Sequence, residues 1–180
     1  SLLNGDKILT PMMHGNIRAS YLKANNYQTV LLPYWGDRVE MLILLPDAGK
    51  YEEMERSLSA KMFLDIITSS KPHDVTLAMP KFEIEKKIDL ISTLQKMGLH
   101  APFDATKANF DGITDSSNGL YISAALQQAT ITVDEKGTQA AAASGVVMAV
   151  SGIERAEMTI NRPFIYAILS KESNTILFLG

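Results

Sequence analysis

The side chains best suited to acid–base or metal chemistry near neutral pH are three histidines, His14, His73 and His100. No two of them stand three or four positions apart, the spacing that sets two metal ligands on one helix face. No metal centre is expected. A nucleophilic serine would need a base and a sharp turn to expose it, yet the chain has no Gly-x-Ser-x-Gly elbow. Phosphate-cradling patterns, Gly-x-x-x-x-Gly-Lys-Ser/Thr or Gly-x-Gly-x-x-Gly, are absent as well. With no cysteine, disulfides, thiolate metal sites and a thiol nucleophile are all excluded. What remains is a chain with no expected catalytic residues, cofactor or metal.

Composition narrows the partners further. The 180 residues carry 17 Lys and Arg against 20 Asp and Glu, a net charge of −3, so nothing favours nucleic acid or an anionic membrane surface. The apolar run Met41 to Leu45, ending at Pro46, is far short of the roughly 20 residues that span a bilayer. There is no Asn-x-Ser/Thr sequon, and the start Ser1-Leu2-Leu3-Asn4-Gly5-Asp6 reads as an excision from something longer, with any targeting signal upstream.

Residues 7 to 46 read as short strands. Tyr27 to Leu32 and Val39 to Leu45 flank Tyr34-Trp35-Gly36-Asp37, whose Gly-Asp suits a hairpin needing positive φ. The unbroken apolarity of Met41 to Leu45 implies burial on both faces, and residues of this chain alone are expected to leave both it and Ile176 to Leu179 short of cover. From 51 to 69 the period becomes helical, with Met54, Leu58, Met62 and Ile66 four apart and Ser59 as N-cap, giving two short helices. Lys71 to Asp74 is expected to close them as a loop. A strand over 75–84 then precedes a helix capped by Asp89 and ended by Gly98.

A loop with Phe110-Asp111-Gly112-Ile113 leads to a long extended segment, 119–135. Two strands, Phe164 to Leu169 and Thr175 to Leu179, finish the chain around the turn at 170–174. Between the extended segment and these strands lies an uncharged run of small residues, Gly137-Thr138-Gln139-Ala140-Ala141-Ala142-Ala143-Ser144-Gly145. Alanine favours helix by propensity, whereas the flanking glycines and Val146-Val147 favour an extended chain, and the run itself leaves both open. On a strand, Thr138, Ala140, Ala142 and Ser144 share one face, all small enough to slide between existing strands without overpacking.

Val133 to Ser144 resembles the reactive-loop hinge of the serpin family. Met158-Thr159-Ile160-Asn161-Arg162-Pro163-Phe164-Ile165-Tyr166-Ala167-Ile168 resembles its C-terminal signature, and Thr10-Pro11-Met12-Met13, Leu44-Leu45-Pro46 and Phe110-Asp111-Gly112-Ile113 follow in the family's order. The resemblance implies an α+β fold: the C-terminal part, 1–180, of a single serpin domain, mostly antiparallel strands with a few short helices and a long mobile reactive loop at about 136–158. The N-terminal half is missing from this chain, which is also expected to stop a few residues before the family's usual end.

By the same resemblance, the protein is a serine protease inhibitor of the suicide-substrate kind. Its loop is cleaved, and the acyl-enzyme is trapped as the freed loop inserts into the central sheet, which requires a metastable native state. The hinge, Glu135 with Gly137, Thr138, Gln139, Ala140, Ala141, Ala142, Ala143 and Ser144, follows the inhibitory pattern. Gln139 and Ser144 depart from the usual Glu and Thr but stay small or polar. The alternative is a non-inhibitory carrier or chaperone-like serpin.

In the family that this chain resembles, the bait residue usually lies sixteen positions after the hinge glutamate, which from Glu135 implies a reactive bond at Ser151–Gly152. Met148, Val150 and Arg155 are alternatives. The 14 residues Thr138 to Ser151 span roughly 46 Å when extended, enough to cross a sheet. Small apolar residues there favour an elastase- or subtilisin-like target over a trypsin-like one that would cleave at Arg155. The resemblance also implies that Lys81 pairs with Glu135, an ion pair worth up to about 1 kcal/mol if it is exposed. Gln127 takes the place of a histidine common in the family's sheet. Loop–sheet self-association is a further expected partnership, and the resemblance favours an extracellular setting while leaving an intracellular one open.

Overall fold

The computed structural model describes residue 3 and residues 5–113, 119–134 and 154–180. They form two compact units, residues 1–82 with 133–180, and residues 83–132.

The larger unit is built on a seven-stranded sheet. In chain order its strands are β1 (Met12–Lys23), β2 (Tyr27–Pro33), β3 (Val39–Pro46), β4 (Lys71–Pro80), β7 (Arg155–Thr159), β8 (Ile165–Ser170) and β9 (Thr175–Leu179). Across the sheet they lie β7-β4-β1-β2-β3-β8-β9. Every neighbouring pair is antiparallel except β4 and β7. Strands far apart in sequence are thus adjacent, and sheet formation must wait for long-range pairing.

The β2–β3 hairpin forms as the turn residues demand, with Gly36 at φ 83° and Asp37 at φ 55°. Alternation then divides β3 between two faces. Leu42 and Leu44 join Leu31, Ile165, Ala167 and Leu169 in a core that also holds Met54, Phe63 and Ile66. The last three come from α1 (Tyr51–Ser57) and α2 (Ala60–Ser69), the helices foreseen over 51–69. Met41, Ile43 and Leu45 are also fully buried. That corrects one expectation: residues of this chain alone cover Met41 to Leu45. Ile176 to Leu179 does remain exposed, from 37% at Ile176 to 53% at Leu179.

Ser59 caps α2 as expected, its Oγ accepting from the Met62 N–H at 3.2 Å. Lys71 to Asp74 is not a loop. These residues start β4, because each finds an antiparallel partner between Arg18 and Tyr21 of β1, a pairing that local sequence does not reveal.

In the smaller unit, β5 (Phe82–Asp89) and β6 (Leu126–Val133) form a two-stranded ladder, each strand lending its Phe82 or Val133 end to the larger unit. What the sequence suggested as one strand over 75–84 is two, parted at Lys81. The extended segment expected over 119–135 is strand only from Leu126. The short helix α3 (Ile91–Lys96) has Leu90, not the expected Asp89, as its N-cap and no side-chain capping bond; Asp89 sits one residue earlier, its Oδ1 accepting from the Ile91 N–H at 3.0 Å. It ends at Gly98, φ 96°, with Gly98 N–H bonded to Gln95 and Leu99 N–H to Leu94. This is the paired-bond stop that a left-handed glycine permits.

Candidate functional site

The segment singled out by sequence runs from the end of β6 to the start of β7, and both anchors are well defined. Upstream, Val133 ends β6 with 6% exposure. Downstream, the Asp74 N–H donates to the Glu154 carbonyl at 3.0 Å, and β7 then pairs in parallel with β4, Asp74 opposite Arg155 through Ala78 opposite Thr159. The Ile160 N–H closes the run on the Ala78 carbonyl at 2.8 Å.

Alternation explains why β7 holds to this edge. Met158 and Ile160 are buried with Ala156 half-buried, while Arg155 and Glu157 are exposed. The outward face continues across the strands as Arg155, Asp74 and Arg18, consecutive register partners on β7, β4 and β1. Below it, Asn16 Oδ1 accepts from the Thr76 hydroxyl at 2.9 Å.

The structure places three of the residues singled out by sequence. Arg155 opens β7, so the last part of the loop expected over 136–158, from Arg155 to Met158, is strand. Lys81 lies between β4 and β5, its N–H bonded to the Pro11 carbonyl at 3.1 Å. Gln127 is exposed on β6, beside Gln128, whose amide donates to Glu85 across the ladder. Glu135, Gly137, Thr138, Gln139, Ala140, Ala141, Ala142, Ala143, Ser144, Met148, Val150, Ser151 and Gly152 lie outside the described residues.

Past β7, Arg162 fixes the turn into β8. Its Nε donates to the Pro46 carbonyl at 2.7 Å, and a terminal nitrogen lies 3.9 Å from Asp47. Phe164 and Tyr166 each place a ring 5.6 Å from Phe82. Sequence reasoning missed β7 and these anchors. The period-two spacing of Ala156, Met158 and Ile160 was the available signal, but five residues of mixed polarity carry little weight beside an alanine run.

His14, His73 and His100 are not brought together, and no cluster of three His, Asp or Glu side chains occurs among the described residues. What the geometry builds is two placed strand ends, Val133 closing β6 and Glu154 leading into β7, on either side of the run singled out by sequence.

Over residues 1–180 the chain matches the family model described as serpin (serine protease inhibitor). The chain belongs to the serpin family. An uncharacterized serpin-like protein of Thermococcus kodakarensis is 36% identical over 96% of this chain and 41% of its own length. Intracellular coagulation inhibitor 2 of Tachypleus tridentatus is 35% identical over 85% of this chain and 38% of its length. Among solved structures, the thyroxine-binding globulin complex with thyroxine superposes with a TM-score of 0.82 at 31% identity, covering 98% of this chain and 47% of that one. The chain thus spans less than half the length of these proteins. The strands and short helices described above are the C-terminal part of the serpin fold.

Proposed function

We propose that the full protein inhibits a serine protease as a suicide substrate. The observation that carries this reading is the hinge, Gly137 to Ser144, whose small uncharged side chains let the segment enter a sheet as a strand. Ser151 is attacked rather than attacking, and the protein has no catalytic group of its own. Insertion supplies the free energy that distorts the trapped enzyme.

Ser151–Gly152 is the preferred bond. Cleavage at Arg155 needs extended backbone free to enter a protease cleft, and Arg155 is already committed to β7 as the register partner of Asp74. An elastase- or subtilisin-like enzyme fits the small apolar choices around Ser151.

The similarity to thyroxine-binding globulin favours a second reading, in which the same fold carries a small ligand. One experiment separates them. The full-length protein is mixed with elastase-, subtilisin- and trypsin-like proteases, run on denaturing gels, and the released C-terminal peptide is weighed. A boil-resistant complex with a peptide starting at Gly152 is expected. Clean cleavage with no complex would assign the protein to the carrier class, and a peptide starting at Ala156 would move the bait to Arg155.

A further inference from the structure

His73 reaches across from β4 to the residue that leads into β7. Its Nδ1 lies 2.8 Å from the Lys71 carbonyl oxygen, which can only accept, so Nδ1 carries the proton of the neutral ring. The other nitrogen, Nε2, lies 3.2 Å from Glu154 Oε2. In that neutral ring Nε2 is an acceptor too, so an ionised Glu154 sets two lone pairs against each other with no hydrogen between them. One added proton, on ring or carboxyl, makes the contact a hydrogen bond, and a charge-assisted one when imidazolium meets carboxylate.

We propose that His73 and Glu154 form a proton-operated latch that holds the start of β7 against β4. The latch sits at an edge of the sheet, since β7 is a five-residue strand with β4 as its one neighbour among the described residues. The first main-chain bond of that pairing, Asp74 N–H to Glu154 carbonyl, uses the residue beside His73 and Glu154 itself. The His73 side chain is 13% exposed and its ring is braced edge-on by Tyr21 of β1 at 5.2 Å, whereas the Glu154 side chain is 83% exposed and open to water. The other charged positions around the latch by register are Lys71 and Asp74 on β4, Arg18 on β1 and Arg155 on β7.

The sign follows from proton uptake on closing. Acid strengthens the latch and alkali weakens it, because the contact becomes a hydrogen bond only when one proton is added. The test uses full-length protein, with amide exchange corrected for intrinsic rate at about pH 5.5 and about pH 8. Exchange at Asp74 and across 154–160 is expected to be about two- to fivefold slower at the acid pH, the range of an exposed ion pair. Glu154→Ala removes that pH ratio. Glu154→Gln also removes it, because an amide can donate to neutral Nε2 at either pH. Nitrogen NMR of the neutral ring is expected to show the proton on Nδ1. A pH ratio that survives Glu154→Ala, or a neutral ring protonated on Nε2, would overturn the latch.

Discussion

Arg162 Nε donates to the Pro46 carbonyl at 2.7 Å, joining the end of β3 to the turn before β8 across 116 residues of sequence. The Arg162 side chain is only 22% exposed, so the carbonyl it satisfies has limited access to water. Arg162→Ala is expected to destabilise the full-length protein by about 1–3 kcal/mol, the cost of losing a charged donor to a sheltered acceptor. Arg162→Lys should recover part of it, because an ammonium can still donate but cannot also reach toward Asp47 as a planar fork. Denaturant midpoints with unchanged slopes would check both, and an unaffected Arg162→Ala midpoint would contradict the assignment.

Thr29 on β2 is fully buried, and its Oγ1 has no hydrogen-bond partner among the described residues. A buried hydroxyl without a partner opposes folding, and valine has nearly the same shape without the polar atom. Thr29→Val is therefore expected to stabilise the protein by about 1 kcal/mol. A lower denaturation midpoint for this variant would show that the hydroxyl is satisfied in the complete molecule.

Burial raises the pKa of Glu40 above the ordinary carboxylate value, with Lys171 opposing and Asp37 adding to the shift. A carboxyl that is harder to ionise in the folded state favours folding while it is protonated. That preference is lost as the pH rises from its unfolded value through its folded one. Glu40→Gln should thus raise stability at neutral pH, by up to about 0.5 kcal/mol after solvent screening, and change little below about pH 4. A pH series of unfolding midpoints tests the crossover, and a benefit confined to acid would reverse the sign.

Thr138→Arg puts a long charged side chain on the small face of the hinge, where insertion would have to bury it. Cleavage of the loop should continue while the boil-resistant complex falls at least tenfold, turning inhibitor into substrate. Undiminished complex formation would show that trapping does not require this segment to enter a sheet.

Local signals in the sequence were enough for the hairpin at Gly36-Asp37, the Ser59 cap and the stop at Gly98, while the cap expected at Asp89 fell one residue later, on Leu90. Each is settled within a few residues by φ preference or by a side chain reaching its own backbone. The family resemblance was legible for the same reason, since hinge and signature are contiguous strings. Sheet edges are another matter. Lys71 to Asp74 became strand through partners on β1, and Arg155 to Thr159 became strand through Asp74 to Ala78, some 81 positions earlier.

By itself, then, the sequence determined which segments turn, cap and alternate, and which small residues could enter a sheet. Tertiary structure alone decided that residues of this chain cover Met41 to Leu45, that Arg155 belongs to an edge strand, and that His73 meets Glu154. Those outcomes depend on which distant strands become neighbours. Pairing of that kind is chosen by the burial of the whole sheet rather than by any local preference.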